Sequence, residues 1–379
     1  MKSFDQHVEE ATAATGLDDF GEPRWEPALR VLLDALASEA HLNDLGQIAV
    51  DVLIAERLAN RLRIADWARQ HPVHEVGISR PLIVMGMART GSTLLHALLD
   101  ADPANRSLMK WEVLDSIPPA TDDTFTTDPR IAASVAKTEA TFEAVPHLKA
   151  QHWEPGDGPT ECTFVYAQDF RSLEFPGYAH VPTYTEFLLA DDLASRTDWH
   201  ALTLQVLGSQ TTGRWNLKAP GHLLGLDVLR AAYPDARFVV THRDPRNSVG
   251  SCAHMITDVW QYLSDGAAPR AGDVWHDLQF ESAHRLLTHR SEHGDDGFFD
   301  VLYDRFTADP IAEIRRLYAH FGDELTPEAE AAMTERLAGR PHGMWGTYTY
   351  DLADHGIDER QVLDRFADYI EAFDIPITP

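Results

Sequence analysis

The stretch Gly86-Met-Ala-Arg89-Thr90-Gly91-Ser92-Thr93 packs two glycines, one guanidinium and three hydroxyls into eight residues. Small residues at this spacing let successive backbone N–H groups converge on an anion at the positive end of a following helix. The spacing is that of a phosphate-binding loop, G-x-x-x-x-G-K-[ST], with Ser92 in the lysine position. The cation that reaches β- and γ-phosphates is therefore missing, which weakens the case for ATP or GTP hydrolysis. Arg89, three residues before Ser92, supplies a different cation. The loop suits a phosphoanhydride carrying less charge than a triphosphate. An ordinary glycine turn is the plainer alternative, and the hydroxyls beside Arg89 weigh against it.

Two further segments carry chemistry. In Thr241-His-Arg243-Asp-Pro-Arg-Asn-Ser-Val-Gly-Ser251 an arginine ends an apolar strand pattern, and a serine follows eight residues later on the next helix. Strand carboxyl ends are where doubly wound sheets bind ligands. The string His-Arg-Asp also occurs in kinase catalytic loops, but Val249 stands where their asparagine is required. Trp215-Asn-Leu-Lys218-Ala-Pro-Gly-His222 holds the last of only five lysines, the other 27 cations being arginines. A compact ammonium suits a single developing negative oxygen better than a guanidinium fork does. A surface salt bridge for Arg243 and an accidental surface lysine are the competing readings.

Together, residues 80–112, 214–255 and 339–369 resemble the sulfotransferases that use 3′-phosphoadenosine 5′-phosphosulfate (PAPS), most closely a bacterial branch with a [PR]-T-G-[ST]-T-L-L loop. The resemblance implies PAPS as co-substrate, a hydroxyl-bearing small-molecule, lipid or glycolipid acceptor, and no metal. It assigns the 5′-phosphosulfate to Arg89, Thr90, Gly91, Ser92 and Thr93, the 3′-phosphate to Arg243 and Ser251, and the sulfate and bridging oxygen to Lys218. Sulfuryl transfer needs an in-line acceptor oxygen, removal of its proton, and cations on the leaving phosphate. Relatives keep a glutamate base near the place of Glu112, in Met109-Lys-Trp-Glu112. His222 is the rival, displaced by two residues from the histidine base of cytosolic members. His152 and Glu161 come third. The segment 339–357 resembles the branch's closing loop, but Thr347, Tyr348 and Thr349 stand where relatives are basic; Arg340 is the substitute expected.

These residues need a frame. The run 81–86 reads as a buried strand and 94–99 as the helix behind the loop, the opening of a parallel α/β sheet. A second unit comprises a helix over 223–233 and a strand over 237–242. A strand is expected at 299–303, and helices at 273–290, 310–321 and 359–373. Leu, Ile, Val and Ala recur at three- and four-residue spacing over 25–37 and 44–70. Residues 1–79 are thus expected as a helical extension, without capping glycines, packed on one P-loop-like α/β domain of central parallel sheet and flanking helices over 80–379. The aromatic-rich stretch 151–200 is expected as an acceptor-binding insertion or lid.

Composition bounds the rest. Sixty acidic residues against 32 basic ones give a formal charge of −28, which argues against nucleic acid or an anionic membrane as an electrostatic partner. No apolar run approaches the roughly 20 residues of a membrane span, and the acidic start has no signal-peptide core, so a cytoplasmic place is expected. Two cysteines exclude a disulfide framework. His71-x-x-His74-Glu75 and His147…His152 lack a third ligand at a convincing spacing. The alternatives are a P-loop small-molecule kinase and a nucleotide-binding protein of this fold that has lost the reaction.

Overall fold

The computed structural model describes residues 1–146, 148–152, 154–266, 271–339 and 349–377. Its centre is a five-stranded parallel sheet in the order β2-β3-β1-β4-β5. The strands are β1 Leu82–Gly86, β2 Asn105–Ser107, β3 Arg214–Lys218, β4 Arg237–His242 and β5 Phe298–Leu302. All five residues of β1 and all six of β4 are buried, as expected of central strands covered on both faces. β1 lies between β3 and β4, with Val84 opposite Lys218 on one side and Gly86 opposite Thr241 on the other. That register brings the phosphate loop, Lys218 and Arg243 to the same carboxyl edge of the sheet.

The expected strands at 81–86, 237–242 and 299–303 are present within a residue at each end. The short edge strand β2 and the strand β3 were not anticipated. β3 reads Arg-Trp-Asn-Leu-Lys, and its polar members find partners distant in sequence: Asn216 donates to the His96 carbonyl and to Ser107 Oγ, at 3.1 and 2.8 Å. The last expected helix is two short ones, Glu359–Arg365 and Ala367–Ala372.

The first 79 residues fold as helices Phe4–Thr15, Glu26–Ser38 and Asp44–Gln70. A capping glycine is present after all: Gly16 ends the first helix with φ +69°. Asn43 caps the long helix by accepting from Gly46 N–H at 2.8 Å. Gly46 lets this helix start press on the end of helix Pro245–Leu263, where a Cβ would lie 2.0 Å from the Leu263 carbonyl oxygen. Buried ion pairs join the same helix to the 151–200 region. Arg57 forks onto Glu174 at 3.1 and 2.5 Å, and Arg61 reaches Asp169 at 3.3 Å. One apolar core runs across both segments, from Leu29, Leu32 and Ile54 to Phe170, Phe175 and Tyr184. Among the described residues no helix is long and apolar enough to cross a membrane.

Candidate active site

The phosphate loop is held open by backbone conformations that few residues tolerate. Gly86 (φ +154°), Arg89 (φ +69°) and Gly91 (φ +89°) all lie in the positive-φ region. A Cβ on Gly86 would sit 2.4 Å from Thr241 Oγ1 and 2.5 Å from the Thr241 carbonyl oxygen, so only glycine lets β1 turn into the loop beside β4. Thr90 locks the turn from inside: its hydroxyl donates to the Met87 carbonyl at 2.7 Å and shares a 2.6 Å contact with Thr241 Oγ1. Thr90 is therefore buried under the loop. Helix Ser92–Leu99 starts at Gly91, and its first amides face the mouth of the turn.

Around this loop the structure gathers most of the cations that the sequence singled out. Arg89 Nε donates to Ser251 Oγ at 3.0 Å, and Arg243 donates to the Arg89 carbonyl at 2.9 Å. Arg243 also lies 4.1 Å from the ring centre of Tyr303, the first residue after β5. Lys218, 1% exposed, donates to Thr93 Oγ1 at 3.3 Å and pairs tightly with Glu161. Against the opposing effect of burial, the Lys218 ammonium holds the Glu161 carboxyl below the usual range. His152 is lowered to about 4, chiefly by burial. It is neutral at physiological pH.

A cavity of about 650 Å³ opens from this cluster. Its wall includes Arg89, Gly91, Ser92, Thr93, Arg243 and Tyr303 of the loop cluster, together with Lys110, His152, Glu154 and Glu161. The same wall has apolar side chains, among them Phe142, Val145, Leu148, Phe164, Met255 and Ile256. Leu53 and Arg57 of the long N-terminal helix close one side, so the helical extension is part of the cavity wall.

Two expected catalytic residues are elsewhere. Glu112 is 1% exposed and locked in a fork with Arg106, at 2.5 and 2.7 Å, while also accepting from Met109 N–H at 2.9 Å. Arg106 stacks on Trp215 at 4.1 Å, and neither member of the pair lines the cavity. The geometry gives Glu112 the work of fastening helix Lys110–Leu114 to β2. His222 is likewise buried, with Nδ1 2.7 Å from the Tyr166 hydroxyl, and it is absent from the cavity wall. Burial and the neighbouring His200 push its pKa well down. Arg340, Thr347 and Tyr348 fall outside the described residues. Tyr350, just beyond them, donates to the Asn247 carbonyl at 3.0 Å, which places that end of the segment on the helix carrying Ser251.

The sequence reading missed Thr241, Tyr303 and Lys110. Thr241 and Tyr303 sit at strand carboxyl ends, the position that could have pointed to them. A potential metal-binding trio, Asp227, His289 and His293, has donor atoms within 4.8 Å of one another, and none of the three lines the cavity.

A five-stranded parallel sheet thus carries, at its carboxyl edge, a glycine-hinged loop with Arg89, Arg243 and Lys218 gathered around it. A model of the sulfotransferase family matches residues 81–327, and the chain belongs to that family. It is a sulfotransferase. The chain superposes on the crystal structure of sulfotransferase STF9 from Mycobacterium avium with TM-score 0.92 and 32% identity, over 100% of this chain and 98% of that one. STF1 from Mycobacterium tuberculosis H37Rv gives 0.85 and 32%, over 97% and 99%. The omega-hydroxy-beta-dihydromenaquinone-9 sulfotransferase Stf3 of Mycobacterium tuberculosis (strain CDC 1551 / Oshkosh) is 27% identical over 302 residues, 75% of this chain and 72% of that protein.

Proposed function

We propose that this sulfotransferase draws its sulfuryl group from PAPS and passes it to a hydroxyl on an apolar, lipid-like acceptor. One observation carries the reading: a single cavity is lined both by the cationic loop and by a set of apolar side chains, its apolar arm, with the Glu161 carboxylate in the same wall. PAPS supplies the activated sulfonate and a phosphate leaving group. Arg89 and Arg243 offset its charge, with the loop amides beside them. Within a protein of net charge −28, these local cations are what such an anion requires. Stf3 is a sulfotransferase for an omega-hydroxylated menaquinone. The apolar arm here fits an acceptor of the same physical kind.

Glu161 is the general base in this reading. It lines the cavity, is ionised at neutral pH, and is held by Lys218, which also touches Thr93 of the loop. An anion on the loop competes for the Lys218 ammonium. Loosening that pair raises the basicity of Glu161 when the donor is bound, which couples donor binding to acceptance of the hydroxyl proton. His152 is the second proton acceptor within the same wall.

The test is thermal. The product nucleotide 3′-phosphoadenosine 5′-phosphate is expected to raise the melting temperature, and Arg243→Ala to remove the shift while leaving the unliganded transition in place. A wild-type protein whose transition does not move with the nucleotide would sink the proposal. So would Mg²⁺-dependent ATP turnover in place of sulfuryl transfer.

A further inference from the structure

Few large apolar side chains are exposed among the described residues. There are seven, and five of them line the cavity or lie on the helix whose Leu53, Glu56 and Arg57 line it: Tyr178 and Tyr262, and Leu45, Ile48 and Val52. Tyr178 and Tyr262 line the cavity itself. Leu45, Ile48 and Val52, exposed by 45%, 62% and 50%, follow each other at spacings of three and four on helix Asp44–Gln70 and therefore form one stripe. One turn beyond Val52 the stripe arrives at Glu56, which lines the cavity, and Leu53 beside it does the same. At the other end Asn43 donates to the Tyr262 carbonyl at 3.1 Å, which fixes the helix start against the second wall of the opening. The stripe thus abuts the cavity wall at both of its ends, through Leu53 and Glu56 at one and through Tyr262 at the other.

We propose that this stripe docks on the surface of a lipid bilayer and that apolar acceptors enter the cavity from the bilayer without crossing water. The inference rests on the reading of the apolar arm as the acceptor site. Three features choose a bilayer as the occupant. The stripe abuts the wall of a cavity whose ligand is apolar, so the occupant must be able to deliver such a molecule. The opening is flanked by two tyrosines and by Lys137, whose ammonium reaches Glu56 at 2.6 Å across the rim. Aromatic hydroxyls and long cationic stems are the side chains that sit at a headgroup boundary. The net charge of −28 opposes attraction to anionic headgroups, so attachment must come from apolar insertion.

Sedimentation with large unilamellar vesicles tests this. Phosphatidylcholine vesicles are expected to carry the protein down in a manner insensitive to salt, and vesicles mixed with phosphatidylglycerol are expected to carry down less. The double variant Ile48→Asp/Val52→Asp, whose sites do not line the cavity, should lower the partition coefficient about tenfold or more. Its thermal shift with 3′-phosphoadenosine 5′-phosphate should match wild type, which shows an intact fold and separates failure here from failure of the sulfotransferase reading. Absence of binding to phosphatidylcholine, or binding that needs anionic lipid and disappears in salt, would overturn the proposal. A concentration-dependent dimer abolished by the same double variant would also overturn it, by assigning the stripe to a second copy of the chain.

Discussion

Replacing Glu112 and Glu161 by glutamine, one at a time, tests the proposal that the first carboxylate holds the fold and the second accepts the proton. Glu112 meets Arg106 through two hydrogen bonds, and the two residues are 1% and 5% exposed. Breaking a buried pair from one side costs about 3–5 kcal/mol, because the remaining charge is left without compensation. Glutamine keeps one acceptor, which puts Glu112→Gln near the lower figure, about 3 kcal/mol. An unfolding entropy of about 2.1 cal/mol/K per residue gives roughly 0.8 kcal/mol/K for 379 residues, so the melting temperature should fall by about 4 °C. Below the transition, kcat should stay within a few-fold of wild type. Glu161→Gln should differ in its effect on turnover. Its partner Lys218, itself 1% exposed, retains Thr93 and the glutamine oxygen as acceptors, so the melting temperature should fall by no more than about 4 °C, while loss of the base lowers kcat by about 10²–10⁴. Differential scanning fluorimetry and transfer of labelled sulfonate from PAPS to a long-chain alcohol read the two quantities separately. A Glu112→Gln protein that melts like wild type and has lost transfer, beside an active Glu161→Gln protein, would refute the assignment.

The remaining predictions are shorter. His96 and His200 are both held at about 3, chiefly by burial, with Lys218 pressing on the first and Arg196 on the second. Above pH 6.5 neither state carries their protons; as pH falls from 6.5 towards 3 the unfolded chain binds them and the folded chain does not, so stability falls. At about pH 4.5 the two together should cost about 5 kcal/mol, measurable as a lower urea midpoint than at neutrality; an unchanged midpoint would contradict the burial argument. Gly86→Ala places a methyl group against Thr241 and Thr90 at a φ that alanine resists. It should lose nucleotide-induced stabilisation at least tenfold in affinity, a strain effect visible by calorimetry.

Much of the anion-binding half was written locally. Gly86, Arg89, Gly91 and the hydroxyls between them are neighbours in the chain, so their spacing carries the loop's backbone geometry and its charge. Arg243 follows a strand whose centre is the apolar run Phe238-Val239-Val240, and such β-branched runs declare themselves without knowledge of the fold. The fully buried strands β1 and β4 were legible for the same reason. β3 was not, because its arginine, asparagine and lysine are paired by residues far away in sequence, including His96 and Glu161.

The choice of base shows where sequence stops. Position relative to the loop favoured Glu112, and nothing near it in the chain reveals that Arg106, on a short edge strand, turns its guanidinium back onto that carboxylate. Glu161 and Lys218 lie 57 residues apart and meet because the segment entering helix Thr163–Tyr166 crosses the end of β3. The N-terminal helices were expected as a cover, but only packing decided that Leu53, Glu56 and Arg57 become cavity wall and leave Ile48 and Val52 outside it. The sequence by itself determined the family and the local geometry of the loop from Gly86 to Thr93, since these depend on residues close along the chain. The tertiary structure decided that Glu161 lines the cavity while Glu112 is locked onto Arg106, since both depend on which distant charges and faces burial brings together.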